Sequence, residues 1–435
     1  MNAAPAQIEP APLDDQSIAR NGFAQLGALL LDAGYAVTDV HFALTKVAKK
    51  TGHPEMSFAV LPATILVSDY PGRPATVVNA TGAELPFWTS ARANGLVREL
   101  SSGNVPVTEF ADRVHRMRTT VRPVAWWEMV SGSSLLAAGL ATLFRTPWWA
   151  IVAALLIGAI IGLVISGASR IRGAGTIVTF VIAFCSTAAV GILALGFDIG
   201  PIPLYAVCAP LAVLVPGATI TNALLELSST DMVTGSSRLM YGLLVLGFMT
   251  TGIGAGAKAT GLTIDSSAAS LLGEITEVSN DLAGWAALPP VWLSWFGVAA
   301  MALGISLAFK AGPMLTAVSI PAMAITYGGT VLLTPLVGGI AATGIVGAFF
   351  YFMARSLERY VPRAPALVTF RPVFLLLVPG TVGLVALASF DDHALITALG
   401  TFLSLSIGTK TGAVVADLMY RPERSDTPMP VMVPA

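Results

Sequence analysis

From Trp126 onward the sequence falls into apolar runs of roughly 18 to 25 residues, each long enough to cross ~30 Å of hydrocarbon as a helix. Nothing else in the chain restricts its fold as much. In lipid every backbone polar group must be satisfied internally, which leaves helices or a closed barrel. Composition agrees: the chain is 55% hydrophobic and 11% charged, where soluble domains carry about a quarter charged residues. The mean hydropathy is +0.76. A net charge of -1 gives no basic surface for nucleic acid. Cys185 and Cys208 lie in apolar segments and read as packing residues, with no disulfide framework.

The front of the chain has a different texture. Residues 1–15, "MNAAPAQIEPAPLDD", lack the basic start and apolar core of a signal peptide and read as a disordered tail. Residues 16–122 read as a small α+β domain. "DDQSIARNGFAQLGALLLDAG" is an amphipathic helix with Asp14 or Asp15 as N-cap and Gly34 as stop, and "TDVHFALTKVAKKTG" is a second. "SFAVLPATILVSDY" and "ATVVNAT" carry the β-branched density of strands. "SARANGLVRELSSG" and "VTEFADRVHRMRTT" are two further helices. The 11 basic and 12 acidic residues up to position 129 nearly cancel, which disfavours a strongly anionic partner.

Ten spans are expected after the domain, near 130–144, 148–166, 174–196, 203–224, 236–257, 290–309, 313–333, 336–354, 371–390 and 394–418. They group into a first membrane half at 123–257, an outer loop at 258–289, a second half at 290–419 and a tail at 420–435. Trp126 and Trp127 stand at the entrance as an aromatic belt. With the front domain in the cytoplasm, the inner connections receive Arg170, Arg172, Arg238, Lys310, Arg355, Arg359, Arg363, Arg371, Arg421 and Arg424, and the outer ones only Arg145 and Lys258. This positive-inside bias places both termini in the cytoplasm of a multi-pass inner-membrane protein.

Two spans are broken alike. "LVPGATITNALLEL" carries Pro216-Gly217 and "LVPGTVGLVAL" carries Pro379-Gly380. Pro216 and Pro379 are 163 residues apart, and shifting the first five spans by that amount brings them close to the second five. Five is odd, so the halves enter the membrane oppositely, as inverted repeats do. Proline removes a donor and clashes with the preceding turn, and the freed groups need protein or water. Paired breaks therefore point to a polar cavity between the halves, where the restarting helices offer N–H groups to a carboxylate. A pair of plain structural kinks is the blander reading.

Polar residues cluster near the breaks. Thr219 and Asn222 are three apart, Asn222 and Glu226 four apart, so all three share a helical face with the first break. They, with Thr381 after the second break, are candidate binding residues. The alternative reading has the threonines bonding their own helix and Glu226 at the cytoplasmic surface. Asp231 either caps the next helix or titrates with transport. Lys410 lies deep in the last span and needs a partner, for which Glu226 and Asp231 are candidates; Asp417 follows on a similar face. "GAIIG" and "GIGAG" are close-packing sites rather than phosphate loops. His41, His53, His115 and His393 lack metal-ligand spacing, and no Walker A motif implicates ATP. No cofactor is expected.

The stretches "LLLDAGYAVTDVHFALTKVAKKTG", "RANGLVRELSSGNVPVTEFADRVHRM" and "VPGATITNALLELSSTDMVTGSSRLMYGL" resemble the threonine/serine exporter family. The resemblance spans about 16–420. It rests on Pro216, Gly217, Asn222, Glu226, Ser229 or Thr234, Gly235 and Arg238, with Glu226 where the family pattern has aspartate. It implies a cytoplasmic α+β domain ahead of ten spans, and proton-driven export of threonine and serine. Residues alone reach only a secondary transporter. A dicarboxylate exporter of the wider family, a passive amino-acid channel and a receptor are the rivals. No catalytic constellation supports a membrane enzyme. A homo-oligomer is left open.

Overall fold

Helix α1, Asp15–Asp32, is the hub of the N-terminal domain: Phe23, Leu26 and Leu30 on it are fully enclosed. The computed structural model describes residues 15–69, 74–82, 85–103, 106–120, 123–168, 175–197, 199–200, 202–227, 229, 231–265, 284–361, 365–377 and 392–419. Around α1 lie α2 (Val37–Lys50), an antiparallel sheet of β1 (Ser57–Val60), β2 (Thr64–Ser68) and β3 (Thr76–Asn79), α3 (Phe87–Leu100) and α4 (Val107–Thr119). Strand β2 is central, pairing Val60 with Ile65 on one side and Asn79 with Thr64 on the other. Alternation puts its Ile65 and Val67 on the helix side, where both are buried. Phe23 meets the rings of Phe58 and Phe110 at 5.7 and 5.2 Å. Gly34 ends α1 as expected. Its φ of +81° lets Tyr35 N–H reach back to Leu30 O at 3.1 Å and Gly34 N–H to Leu31 O at 2.9 Å, a glycine-stopped helix end.

The remaining helices are α5 (Trp126–Leu143), α6 (Trp148–Ala168), α7 (Gly175–Gly196), the short α8 (Leu204–Cys208), α9 (Gly217–Leu227), α10 (Met232–Thr260), α11 (Leu293–Ala308), α12 (Pro313–Val337), α13 (Gly339–Tyr360), α14 (Ala366–Leu377) and α15 (Asp392–Met419). A two-residue parallel pair, β4 (Ile202–Pro203) and β5 (Ile264–Asp265), ties the connection before α8 to the one after α10. Among the described residues six helices are long and apolar enough to cross a bilayer: α6, α7, α10, α12, α13 and α15. The expectation of ten spans needs four more segments, and of these Leu204–Leu214, α11 and Val368–Leu377 are apolar but shorter. Large apolar side chains point outward along these helices, such as Leu156, Ile160 and Leu163 on α6 and Leu399, Leu403 and Ile407 on α15. Stripes of that extent are lipid-facing surface.

Helices α5 and α11 cross antiparallel through glycine. A Cβ on Gly139 would lie 2.5 Å from Met301 N and 2.8 Å from Gly297 O, and one on Gly297 would lie 2.8 Å from Gly139 O. Such backbone contact is how membrane helices gain dispersion energy without a hydrophobic drive. The same helices end alike. Arg145 and Lys310, the two non-glycine residues with positive φ among those described, follow Phe144 and Phe309. Thr146 N–H returns to Ala141 O at 3.0 Å and Ala311 N–H to Ser306 O at 2.8 Å. The two expected small-residue sites also behave as packing: Gly158 and Gly162 abut α5, and Gly252 and Gly256 abut α7.

The domain is bolted to this bundle end-on. Phe87 N–H donates to Phe309 O at 2.8 Å and Trp88 N–H to Lys310 O at 3.1 Å. The first free amides of α3 are thereby capped by carbonyls just past α11, which explains why α3 begins at Phe87, earlier than the expected start near Ser90. The rings of Phe87 and Phe309 stack at 5.2 Å.

Candidate functional site

The expected break at Pro216-Gly217 is real and local. After α8 the chain tightens into a 3-10 turn, Ala209–Leu214, Val215 is extended with ψ of 123°, and a new helix opens at Gly217. Proline ends the first ladder, and the glycine at the restart is buried, with Leu375 of α14 in ordinary contact beside it. The matching residues Pro379, Gly380 and Thr381 lie outside the described residues, as does the side chain of Thr221.

Three turns of α9 then present a polar edge to the N-terminal domain rather than to a mid-membrane hollow. Thr219 and Asn222 line a cavity of about 150 Å³ whose other walls include Asp32, Gly34, Gly82 and Arg238. Asn222 is buried and donates through Nδ2 to Gly34 O at 2.8 Å. Glu226 is fully buried. Its Oε1 takes the Arg238 guanidinium at 2.9 Å and Val37 N–H at 3.0 Å. Its Oε2 has no hydrogen-bond partner among the described residues. The shared face expected for Thr219, Asn222 and Glu226 therefore exists, and what covers it is the turn between α1 and α2.

The expected pairing of Lys410 with Glu226 or Asp231 is corrected. The α9–α10 connection folds back so that Gly235 passes against Ala223 O and Leu227 N, which brings Arg238 beside Glu226. Lys410 instead donates to the Ser229 hydroxyl. Asp231 sits at the N-cap position of α10 without a side-chain capping bond, and its carbonyl accepts from Gly235 N–H at 2.9 Å. Asp417 is mostly exposed and lies 3.4 Å from Arg355. It shares a groove of about 360 Å³ with Lys46, Arg98, Glu358 and Arg359.

One residue of this site was invisible to the sequence reading, which left Arg371 as a boundary cation. It lies within α14 and is only 7% exposed. Its Nη2 donates to Ala33 O at 3.2 Å, its guanidinium stands 5.4 Å from the Phe87 ring, and its Nη1 lacks a hydrogen-bond partner among the described residues. The sequence signal was an arginine set between apolar flanks, "LVTFRPVFLLL", too deep for a loop.

The surrounding domain residues carry perturbed acidities. Asp32 accepts from Thr81 N–H and Gly82 N–H at 2.8 and 3.2 Å, yet burial holds its carboxyl above the ordinary value. Asp39, on the first turn of α2, is open to water-sized contact but ringed by protein. The protein mass around this exposed side chain raises its carboxyl against the pull of Arg355 and Lys410. Burial likewise pushes the Tyr35 phenol up. A separate groove of about 1010 Å³, lined by Trp88, Arg92, Arg113, Arg116 and Met314, runs between α3, α4 and the start of α12. It shares no lining residue with the α9 edge, and buried ionisable groups mark the latter as the site. Among the described residues no three His, Cys, Asp or Glu side chains gather as a metal site.

A buried carboxylate, an amide and a guanidinium thus converge on the helix that restarts after the Pro216-Gly217 break. No curated protein and no solved structure matches the chain. Residues 22–259, more than half of its 435, match the family described as "Putative threonine/serine exporter". That stretch runs from α1 to the end of α10 and contains Asn222, Glu226 and Arg238, so the chain belongs to the threonine/serine exporter family.

Proposed function

We propose that this protein is a secondary active exporter of threonine and serine, exchanging them for protons across the inner membrane. The observation that carries the reading is Glu226: a carboxylate with no exposed surface, at the end of a broken membrane helix, one of whose oxygens has no hydrogen-bond partner among the described residues. A buried acid of this kind can hold either a proton or a substrate ammonium, and that exclusivity is the basis of antiport. Asn222 and Thr219 on the same face supply hydrogen bonds to a hydroxyl or carboxylate. Lys410 and Asp231, near the α9–α10 connection, and Asp417, in the groove with Arg355, bias the charge balance as the cavity switches sides.

Ten spans in two inverted halves supply the alternating frame. Support comes from the α5 and α11 ends, where Phe144-Arg145 and Phe309-Lys310 close two helices by the same hydrogen-bond pattern, and from their reciprocal glycine crossing. The basic connections favour an N-terminal domain in the cytoplasm. The binding site would then lie at the cytoplasmic mouth, near Pro216-Gly217 and, by the repeat, Pro379-Gly380 and Thr381.

The test is proteoliposome transport of labelled threonine, serine and a dicarboxylate panel, with and without an imposed pH gradient. Threonine or serine flux that follows the gradient supports the reading. Dicarboxylate flux alone would assign the other substrate class, and wild-type rates in Glu226→Gln and Lys410→Met would refute the assignment of these residues.

A further inference from the structure

Three main-chain groups of one turn enter the membrane site. Ala33 O accepts from Arg371, Gly34 O accepts from Asn222, and Val37 N–H donates to Glu226. The turn belongs to the N-terminal domain, while α9 and α14 belong to the two membrane halves. Two acceptor oxygens followed by a donor nitrogen reproduce, in neutral form, the ends of a free α-amino acid: a carboxylate and an ammonium.

The match is incomplete in a telling way. A peptide carbonyl offers Arg371 one oxygen, and Nη1 has no hydrogen-bond partner among the described residues. A carboxylate would take both guanidinium nitrogens at once, the geometry in which arginine binds best. Beside the Arg238 guanidinium, a peptide N–H offers Glu226 one further proton, and Oε2 has no hydrogen-bond partner among the described residues. An ammonium offers three. Both side chains are more than nine-tenths buried, so neither shortfall is relieved by bulk water. A buried guanidinium met by a neutral carbonyl is expensive unless a charged ligand takes the place of that carbonyl in another state. The turn is also fitted to Arg371 in a way that ordinary packing does not demand. Gly34 has φ of +81°, and a Cβ there would coincide with the guanidinium.

We propose that the Ala33–Val37 turn is a tethered stand-in for the transported amino acid, occupying a site in which Arg371 takes the substrate carboxylate and Glu226 its ammonium. The cytoplasmic domain thus competes with substrate and must withdraw before loading. Arg371 becomes the residue that requires a carboxylate, and Glu226 the one that requires an ammonium. The inference rests on the exporter reading above and assigns that site its carboxylate-binding group.

The experiment measures threonine KM and maximal rate in proteoliposomes for the full chain and for Gly34→Ala, Arg371→Gln, Arg371→Lys and Gly34→Ala/Arg371→Gln, each checked for monodispersity and thermal stability. Equilibrium binding of labelled threonine to the same preparations is the second readout. Gly34→Ala lowers KM, because its methyl group expels the turn from Arg371. Arg371→Gln raises KM about tenfold or more in both backgrounds, as loss of a charged hydrogen bond does, and Arg371→Lys restores part of it. If Arg371 were only a latch for the domain, Arg371→Gln would behave like Gly34→Ala and lower KM; that result overturns the proposal. An Arg371→Gln variant with unchanged KM in the Gly34→Ala background overturns it as well. If the wild type neither binds nor moves threonine or serine but carries dicarboxylates, the exporter reading fails first and takes the ammonium role of Glu226 with it. Should the wild type carry threonine while Gly34→Ala and Arg371→Gln match it, only the present inference falls.

Discussion

Glu226 and Arg238 stand 2.9 Å apart where α9 turns back into α10, with the carboxylate wholly enclosed and the guanidinium nearly so. Twelve residues separate them in sequence, and the Gly235 approach to Ala223 and Leu227 makes the pairing possible. Removing one member of a buried pair strands the other. Arg238→Leu is expected to destabilise the protein by about 3–5 kcal/mol, seen as a large fall in the detergent melting temperature. Arg238→Leu combined with Glu226→Gln should recover much of the loss, because no charge is then left alone.

The antiparallel crossing of α5 and α11 has no room for a side chain at Gly139 or Gly297. Gly139→Leu must push the helices apart, and overpacking a tight contact costs about 1–3 kcal/mol or more. Thermal unfolding in detergent reads this directly. The same substitution at Gly167, which has open space, should leave the melting temperature unchanged.

In the N-terminal domain Phe23 carries the ring cluster with Phe58, Phe110 and His53. Phe23→Ala should cost about 3–5 kcal/mol of domain stability. Limited proteolysis of the full chain would then cut within 15–119 while the helical bundle stays intact.

Acidity should control how firmly the domain is seated. Asp39 has Arg355, Lys410, Glu358 and Asp417 around it, and the protein mass beside its exposed side chain raises its carboxyl above the ordinary value of 3.8. Seating therefore favours the protonated form. The contribution is full below the ordinary value and is lost as pH rises through the raised one. In a Glu226→Gln background, where the Val37 N–H partner no longer titrates, amide exchange across residues 33–37, corrected for its intrinsic pH dependence, should slow further as pH falls, and Asp39→Asn should abolish that trend.

Local chemistry made much of this architecture legible in the sequence. Gly34 stops α1 and Pro216-Gly217 opens α9 because each effect is confined to a few residues. Lys410 and Arg371 were harder. Depth along a helix says that a charge needs a partner but not which one, and the fold-back at Gly235 gave Glu226 to Arg238 and left Lys410 with Ser229. The burial of Arg371 depends on a turn 338 residues away in the chain, which no local pattern can report. The paired Phe144-Arg145 and Phe309-Lys310 were present in the sequence, yet an aromatic followed by a basic residue means nothing until both are seen ending helices.

The most direct measurement is concentrative movement of threonine in proteoliposomes holding the purified wild-type protein under an imposed pH gradient. The account predicts accumulation above the equal-concentration level while the gradient lasts, collapse on adding a protonophore, and no accumulation with Glu226→Gln. Equilibration that never exceeds the external concentration, or accumulation undiminished in Glu226→Gln, would contradict it.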